Sequence, residues 1–352
     1  MAQLTPEFLF DLESNLRVIS EKEFERLLSN LWWQQVGKVM PSGAKKERIN
    51  WLLDTAKIER PLGSRGGGQA IFEDIVMQTV EYENENAVGG LELKKEQLED
   101  LDGNGVQLAT HWARQMGAQA AYWPQKEIAK AIRANGLTYD GLPMFSDFSA
   151  QHPVNPFKPA GASFANHLTG APSGIFPGFV PVHATGAGAV TVDVAIDNIN
   201  LALAYIASIK MPNQEDPRML KLSGILHPPN LTARMQQITK AQFIAQGAAT
   251  GGGAADVSAI IKNFGFGTPL EAPELGSAFG GSDTDYYLLV QEITSNELGA
   301  FVYVDREPFG MIFHGPQTDA QLARMKKLQW LTEGRNVVGN GHPYLIFKCS
   351  GI

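Results

Sequence analysis

Residues 59–93, ERPLGSRGGGQAIFEDIVMQTVEYENENAVGGLEL, restrict the possible folds most sharply, because a glycine cluster from Gly63 to Gly68 runs straight into β-forming sequence. A phosphate-binding loop would set backbone N–H groups at a helix start, with a Lys-Ser/Thr pair or a fixed glycine spacing. Neither pattern is present. Ile71, Phe72, Ile75, Val76, Thr79, Val80 and Tyr82 follow instead, with turn residues at Asn84, Asn86 and Gly89-Gly90. The stretch predicts a flexible turn feeding a long β-arm that returns through Leu91 and Leu93, not a nucleotide site.

An arm needs a core to anchor it, and 352 residues at 44% hydrophobic and 19% charged supply one large domain or two to three smaller ones. No apolar run reaches the ~18 residues of a transmembrane helix. The opening MAQLTPEFLFDLESNLRV mixes acids into its apolar positions, so no signal peptide and a cytosolic folding compartment are expected. Cys349 is the only cysteine, which excludes an internal disulfide framework and any multi-cysteine metal site; it is expected to be buried and inert. A net charge of -8 argues against extensive sequence-independent DNA binding, which needs Lys and Arg to displace counterions, and leaves room for local basic faces. The 36 glycines and 20 prolines exceed the usual share and gather in loops, predicting long excursions from the core.

Along the chain, EKEFERLLSNLWWQQV at 21–36 spaces Phe24, Leu27, Leu28, Leu31 and Trp32 as an amphipathic helix behind a Ser20 cap with Glu23 at its third position. Val106, Ala109, Ala113, Met116, Ala120 and Ala121 predict a helix over 106–122, and Pro124 starts a continuation closed by Asn135-Gly136, with a kink or break near Trp123-Pro124. Residues 151–190 hold six prolines without a period; so long a loop is normally functional or ordered by another chain. Then come a helix at 193–209, a strand in LKLSGILHPP, a helix from Asn230, strands at 286–292 and 300–305, a helix at 317–330 and a last strand in PYLIFKC. This mixture without βαβ regularity predicts an α+β fold.

Candidate chemistry is sparse. Asp100, Asp102, Asn104 and Gly105 match the first half of a calcium loop, but the position that should carry a bidentate Glu is His111, so a helix-leading turn is expected and no metal. The histidines at 111, 152, 167, 183, 227, 314 and 342 are dispersed, with no HExxH and no i, i+4 pair. No GxSxG elbow occurs, and Asp283 and Asp285 beside Gly280-Gly281 read as a turn before a strand rather than an acid/base pair. No catalytic residue and no cofactor are therefore expected. YDGLPMFSDFSAQHP at 139–153 sets Tyr139, Met144, Phe145 and Phe148 among turn formers, either as a loop pinned to the core or as a surface that needs another subunit.

The ordered series YEN…AVGGLEL, EDLDGNG, PQKEIAKAIRANG, YDGLPMFSDFSAQHP, LHPPNL, DYYLLVQE and WLTEGRNVVGNGHPYLIFKC resembles the Mu-like phage major head subunit family from about residue 20 to the end. The resemblance implies a Hong Kong 97-like major capsid fold. It further implies an N-terminal arm at 1–45, an extended β-hairpin E-loop at 46–94, a peripheral domain with a long spine helix at 95–190, an axial domain at 191–299 and a return to the peripheral domain at 300–352. The long Pro/Gly segment at 151–190 departs from the family pattern. Implied residues for intersubunit contact are Arg60, Gly63, Arg65, Gly66, Gly67, Gly68, Tyr82 and Glu83 in the E-loop, and His111, Trp112 and Met116 on the spine helix. Such a protein assembles with itself into pentamers and hexamers around double-stranded DNA, in a virion built in the bacterial cytoplasm. Portal, scaffolding or protease and cement proteins would be its partners, and no membrane. A covalent link between Lys57 and Asn336 or Asn340 of a neighbour is not expected. Rival readings are an encapsulin-like compartment, a soluble enzyme without a recognisable motif, and a tail or adhesin protein, which the long helices disfavour.

Overall fold

The computed structural model describes residues 5–53, 76–100, 104–157, 160–169, 192–213, 215–240, 243–244, 255–256, 269–293, 299–318, 321, 324 and 327–350. Its first helix, α1 (Pro6–Leu28), begins where Thr5 Oγ1 accepts the Phe8 N–H at 3.2 Å, with Pro6 where a missing N–H costs nothing. The helix start expected at Ser20 is corrected: Ser20 lies inside α1, and a separate short helix, α2 (Trp33–Val36), follows. Thr5-Pro6 with Glu7 in the first turn is a complete start signal, and Leu9, Leu12 and Leu16 supply a buried stripe upstream of Ser20.

The next elements are β1 (Gly37–Pro41), β2 (Lys46–Leu53), β3 (Val76–Glu83), β4 (Glu85–Lys94), α3 (Lys95–Asp100), α4 (Asn104–Ala134), β5 (His152–Pro153), β6 (Ser163–Phe164), β7 (His167–Leu168) and α5 (Val192–Ala207). There follow β8 (Leu220–His227), α6 (Thr232–Lys240), β9 (Phe243–Ile244), β10 (Ala255–Asp256), β11 (Leu270–Glu271), β12 (Tyr286–Glu292), β13 (Phe301–His314), β14 (Lys327–Asn340) and β15 (Ile346–Cys349). Two sheets organise them, one in the order β1-β13-β14-β4 and one in the order β11-β8-β12-β15-β7.

In the first sheet β13 and β14 are antiparallel strands of 14 residues each. The helix expected at 317–330 is corrected at its end: Gln321 and Arg324 are helical, but residues 327–330 already belong to β14. Lys, Leu, Gln and Glu favour a helix by intrinsic propensity, but Leu328, Trp330 and Thr332 alternate inward with period two, and pairing to β13 on one side and β4 on the other overrides that preference. The expected strand at 300–305 runs on to His314, through register shifts between Asp305 and Gly310 where Pro308 has no N–H to give a ladder.

Helix α4, 31 residues and about 46 Å long, lies on this sheet and continues unbroken through Pro124. Because it starts at Asn104, the calcium-like stretch is already helical at its third ligand position. Leu9, Leu12 and Leu16 of α1 pack against Ala109, Trp112 and Ala113 of α4 and against Leu93, Leu328 and Trp330 of the sheet. The two helices touch most closely where Gly117 meets the Ser20 carbonyl, with no room for a Cβ.

The second sheet forms a separate, larger core. Tyr286, Leu288, Ile225, Leu226, Ile346 and Phe347 interleave from its central strands, and Ile199, Ile206, Met235 and Ile238 of α5 and α6 cover it. α4 ends where Asn135 adopts a left-handed conformation at φ 47° and exchanges two hydrogen bonds with the Phe145 backbone, at 2.6 and 3.1 Å. The 139–153 stretch is pinned to the chain's own core: Tyr139, Met144 and Phe145 are buried, and Asn166 Nδ2 donates to the carbonyls of Met144 and Pro343.

Gly117→Ala is expected to lower the melting temperature by several degrees, since overpacking typically costs ~1–3 kcal/mol. Gly43→Ala, with nothing within 4 Å of its Cβ, should leave it unchanged. Equal melting of the two variants would contradict the close crossing of α1 and α4.

Candidate assembly interface

The described part of the arm is the antiparallel pair β2 and β3, eight residues on each strand, running from Lys46 opposite Glu83 to Leu53 opposite Val76. Two strands alone are marginal in water, so the arm's order comes from its root. There Ile49, Val80 and Tyr82 close a small apolar cluster with Tyr139, Val302 and Val304. Tyr82 is the pivot: its hydroxyl donates to the Asn340 carbonyl at 2.8 Å, and its ring occupies the space a Cβ on Gly339 would need. Asn84 fixes the strand's exit by donating to Ser42 Oγ at 3.0 Å and the Ala44 carbonyl at 2.9 Å.

Charges on the two strands segregate. Lys45 and Lys46 reach Glu83 at 2.8 and 3.8 Å, and Lys46 and Arg48 reach Glu81 at 2.9 and 3.2 Å. Hydrogen bonds from Lys46 to Glu81 and from Lys45 to Glu83 hold both carboxyl groups below the usual carboxylate range. These pairs are solvent-exposed, so they set the strand register more than they stabilise the fold.

The implied interface residues divide accordingly. Tyr82 and Glu83 sit together at the arm's root, while Arg60, Gly63, Arg65, Gly66, Gly67 and Gly68 lie outside the described residues. His111 is exposed on α4, its Nε2 3.1 Å from Gln115 Nε2; Met116 is half-buried; Trp112 is buried between α1, α4 and the sheet. Asn336 is buried and accepts the Trp123 indole N–H at 2.9 Å, and Asn340 donates to the Leu137 carbonyl at 3.0 Å; Lys57 lies outside the described residues. Glu92 on β4 meets Lys327 at 2.5 Å.

Two buried polar knots join segments far apart in sequence. Glu274 accepts from Tyr122 Oη and Gln125 Nε2, both at 2.6 Å, and from Trp32 Nε1 at 3.4 Å, tying α4 and the start of α2 to the second sheet's periphery. Arg218 pairs with Glu292 at 3.2 Å and stacks 3.6 Å from the Tyr344 ring centroid. Neither knot leaves a local sequence signal, because its members are contiguous only after folding. A third contact, His152 Nδ1 to Asp140 Oδ2 at 2.6 Å, is wholly buried; burial works against the Asp140 charge, but hydrogen bonds from His152 and Thr138 outweigh it and keep the carboxyl low.

The remaining candidates behave structurally. Asp283 accepts the Ser277 N–H at 2.9 Å within a turn, and Asp285 pairs with Lys348 at 3.0 Å. Cys349 is buried, and burial pushes its thiol far above the ordinary range. Among the described residues no three His, Cys, Asp or Glu side chains converge on a metal position, and no helix is long and apolar enough to cross a membrane.

His342 gives the fold a pH dependence. It lies between Tyr139 and Tyr344, with ring centroids 5.6 and 5.0 Å away, and burial, helped by Arg218, pushes its pKa down to about 3. In the unfolded chain the imidazole titrates near ~6.5. Between those values only the unfolded chain takes up the proton, so stability is full above ~6.5 and falls as the pH drops toward 3, by up to ~1.4 kcal/mol per pH unit. Burial holds His167 and His227 down as well, adding to the same slope. Melting of His342→Phe across pH 7 to 4 should decline less steeply than wild type; an identical slope would show that His342 protonates without unfolding.

No curated protein matches the sequence. Residues 14–177, just under half of the chain, match the family described as Mu-like prophage major head subunit gpT. Among solved structures, the capsid of cyanophage P-SCSP1u superposes with a TM-score of 0.52 at 13% identity, covering 92% of this chain and 88% of that one. A virus-like particle from Pyrococcus furiosus gives 0.48 at 9% identity, covering 96% and 98%, and the procapsid of bacteriophage JBD30 gives 0.46 at 16%, covering 99% and 77%. The cyanophage likeness shows the fold, a Hong Kong 97-like capsid fold, and residues 14–177 are similar to the Mu-like prophage major head subunit family.

Proposed function

We propose that copies of this chain close into an icosahedral shell of pentamers and hexamers around double-stranded DNA, and that the β2–β3 arm joins neighbouring subunits. The observation that carries this reading is the arm itself. It is rooted in one small cluster at Tyr82, and beyond Leu53 and Val76 the chain still has 54–75 to place. A ribbon that cannot bury its own faces is completed by a neighbour, and rings of five or six use head-to-tail contacts that a bending arm can serve at both angles. Residues 1–45 act as the N-terminal arm, 46–94 as the E-loop, 95–190 and 300–352 as the peripheral domain and 191–299 as the axial domain. The subunit's part is structural and non-enzymatic, its location is the virion, and assembly takes place in the host cytoplasm with portal, scaffolding or protease and cement proteins. The buried, inert Cys349 and the turn-bound Asp283 give an enzyme reading nothing to build on.

Purified protein should sediment as pentamers, hexamers or larger particles, and micrographs should show closed shells. A compact monomer under all salt conditions would overturn the proposal. Replacing residues 63–68 with an Asn-Gly turn should abolish shells while leaving the unassembled subunit's melting temperature within about 2 °C, because the deleted residues carry no large apolar side chain to bury. Normal particle yield would show that the arm tip is dispensable.

A further inference from the structure

Helix α4 is basic in an acidic chain. Between Asn104 and Ala134 it carries Arg114, Lys126, Lys130 and Arg133 against a single carboxylate, Glu127, while the whole protein has a net charge of -8. Arg114 is answered inside the subunit, where Arg26 first and Arg114 after it hold the Glu23 carboxyl of α1 below the usual carboxylate range. The other three cations lie toward the C-terminal end of α4, past the place where Gly117 meets Ser20 of α1.

Positions 126, 130 and 133 fall on one face of the helix, about one turn apart, and make a stripe roughly 10 Å long. Lys126 and Lys130 are exposed and Arg133 is half-buried. Among the described residues neither Lys126 nor Arg133 has a carboxylate partner: the Lys126 ammonium stands 5.2 Å from the Trp123 ring centroid, and Arg133 Nε donates to the Ala129 carbonyl at 3.2 Å. Lys130 meets Glu127 at 3.4 Å with its side chain 70% exposed, a pair that solvent screens. The arm's root is different, since Lys45, Lys46 and Arg48 are each met there by Glu81 or Glu83. Attraction to the helix dipole accounts for Arg133 in the last turn, but it fades within a turn and Lys126 lies two turns inside.

We infer that this stripe borders the duplex DNA that the shell encloses, with Lys126, Lys130 and Arg133 each lying against a backbone phosphate of one strand. This rests on the shell reading above and names the surface turned toward the contents. A duplex carries a phosphate about every 3.4 Å along each strand, so a stripe of roughly 10 Å runs beside about three of them, one for each cation. Contacts to phosphate carry no sequence information, which suits a wall that meets whatever sequence is packed. The negative charge of the rest of the chain confines the attraction to this face and keeps it weak and salt-sensitive, so that DNA slides along it instead of being held.

The test measures binding of unassembled full-length subunits to a duplex of about 30 base pairs and arbitrary sequence, from ~50 to ~200 mM salt. Lys126→Gln combined with Lys130→Gln should flatten the slope of log affinity against log salt by about 2 and weaken binding roughly tenfold or more at ~0.1 M salt, with melting and particle yield unchanged. Lys22→Gln combined with Lys221→Gln makes the same change in net charge at exposed positions elsewhere and should keep the wild-type slope. Wild type that assembles but does not bind the duplex, or an α4 variant that keeps the full slope, overturns the DNA face and leaves the shell reading standing. An α4 variant that loses assembly but not DNA binding also overturns it, and makes the acidic outer face of α1 in a second copy, with Glu7, Asp11, Glu21 and Glu25, the occupant. Wild type that never closes into shells, with the slope still lost in the α4 variant, overturns the shell reading and leaves the DNA face standing.

Discussion

The pairing of β13 with β14 carries the rest of the molecule. Fourteen residues on each strand lie side by side, giving β1 and β4 their ladders on the two flanks and α4 its bed on one face. Trp330 and Leu328 point from β14 into the α1–α4 core, while Val302 and Val304 point from β13 into the cluster that roots the arm. β14 then leads through Gly341 and His342 into β15 of the second sheet, so one hairpin-like pair connects both cores and the arm. The bulge around Pro308 falls where this sheet meets Trp123 of α4, 6.1 Å between the Trp123 and Phe309 rings.

The chain divides its burial unevenly. Aromatic and aliphatic side chains fill the second sheet and the α1–α4 layer to full exclusion of water, supplying the stability of a single subunit. Outside Ile49, Tyr82, Ala87 and Leu93, the arm and β4 receive less of this burial, and on the proposed reading a neighbouring subunit completes them. The polar knots at Glu274 and Arg218 act differently: each ties together segments from separate regions of the chain.

Much of this was legible in the sequence where a signal is local. β-Branched and aromatic residues marked β3, the apolar run YYLLVQE marked β12, Asn135-Gly136 marked the end of α4, and the failure of the calcium pattern at His111 agreed with a helix already begun at Asn104. What escaped was decided at a distance. β14 reads as helix by propensity and becomes a strand because it has partners on both sides. The helix start read at Ser20 from its capping box lies inside α1, whose start is Thr5-Pro6. At the candidate interface Tyr82 was visible as part of a β-run, but its anchoring role depends on Gly339 and Asn340, more than 250 residues away. The β4 edge left no signal at all, since an unpaired edge is defined by what does not lie beside it.

The central claim is that β2, β3 and β4 are completed by a neighbouring subunit. Amide hydrogen exchange, followed residue by residue in unassembled subunits and in assembled particles, tests it most directly. The account predicts that amides of the arm and of the outer β4 edge exchange fast in the subunit and become strongly protected in the particle, while those of β13 and β14 are protected in both. Equal protection of the arm and the β4 edge in the two states would contradict it.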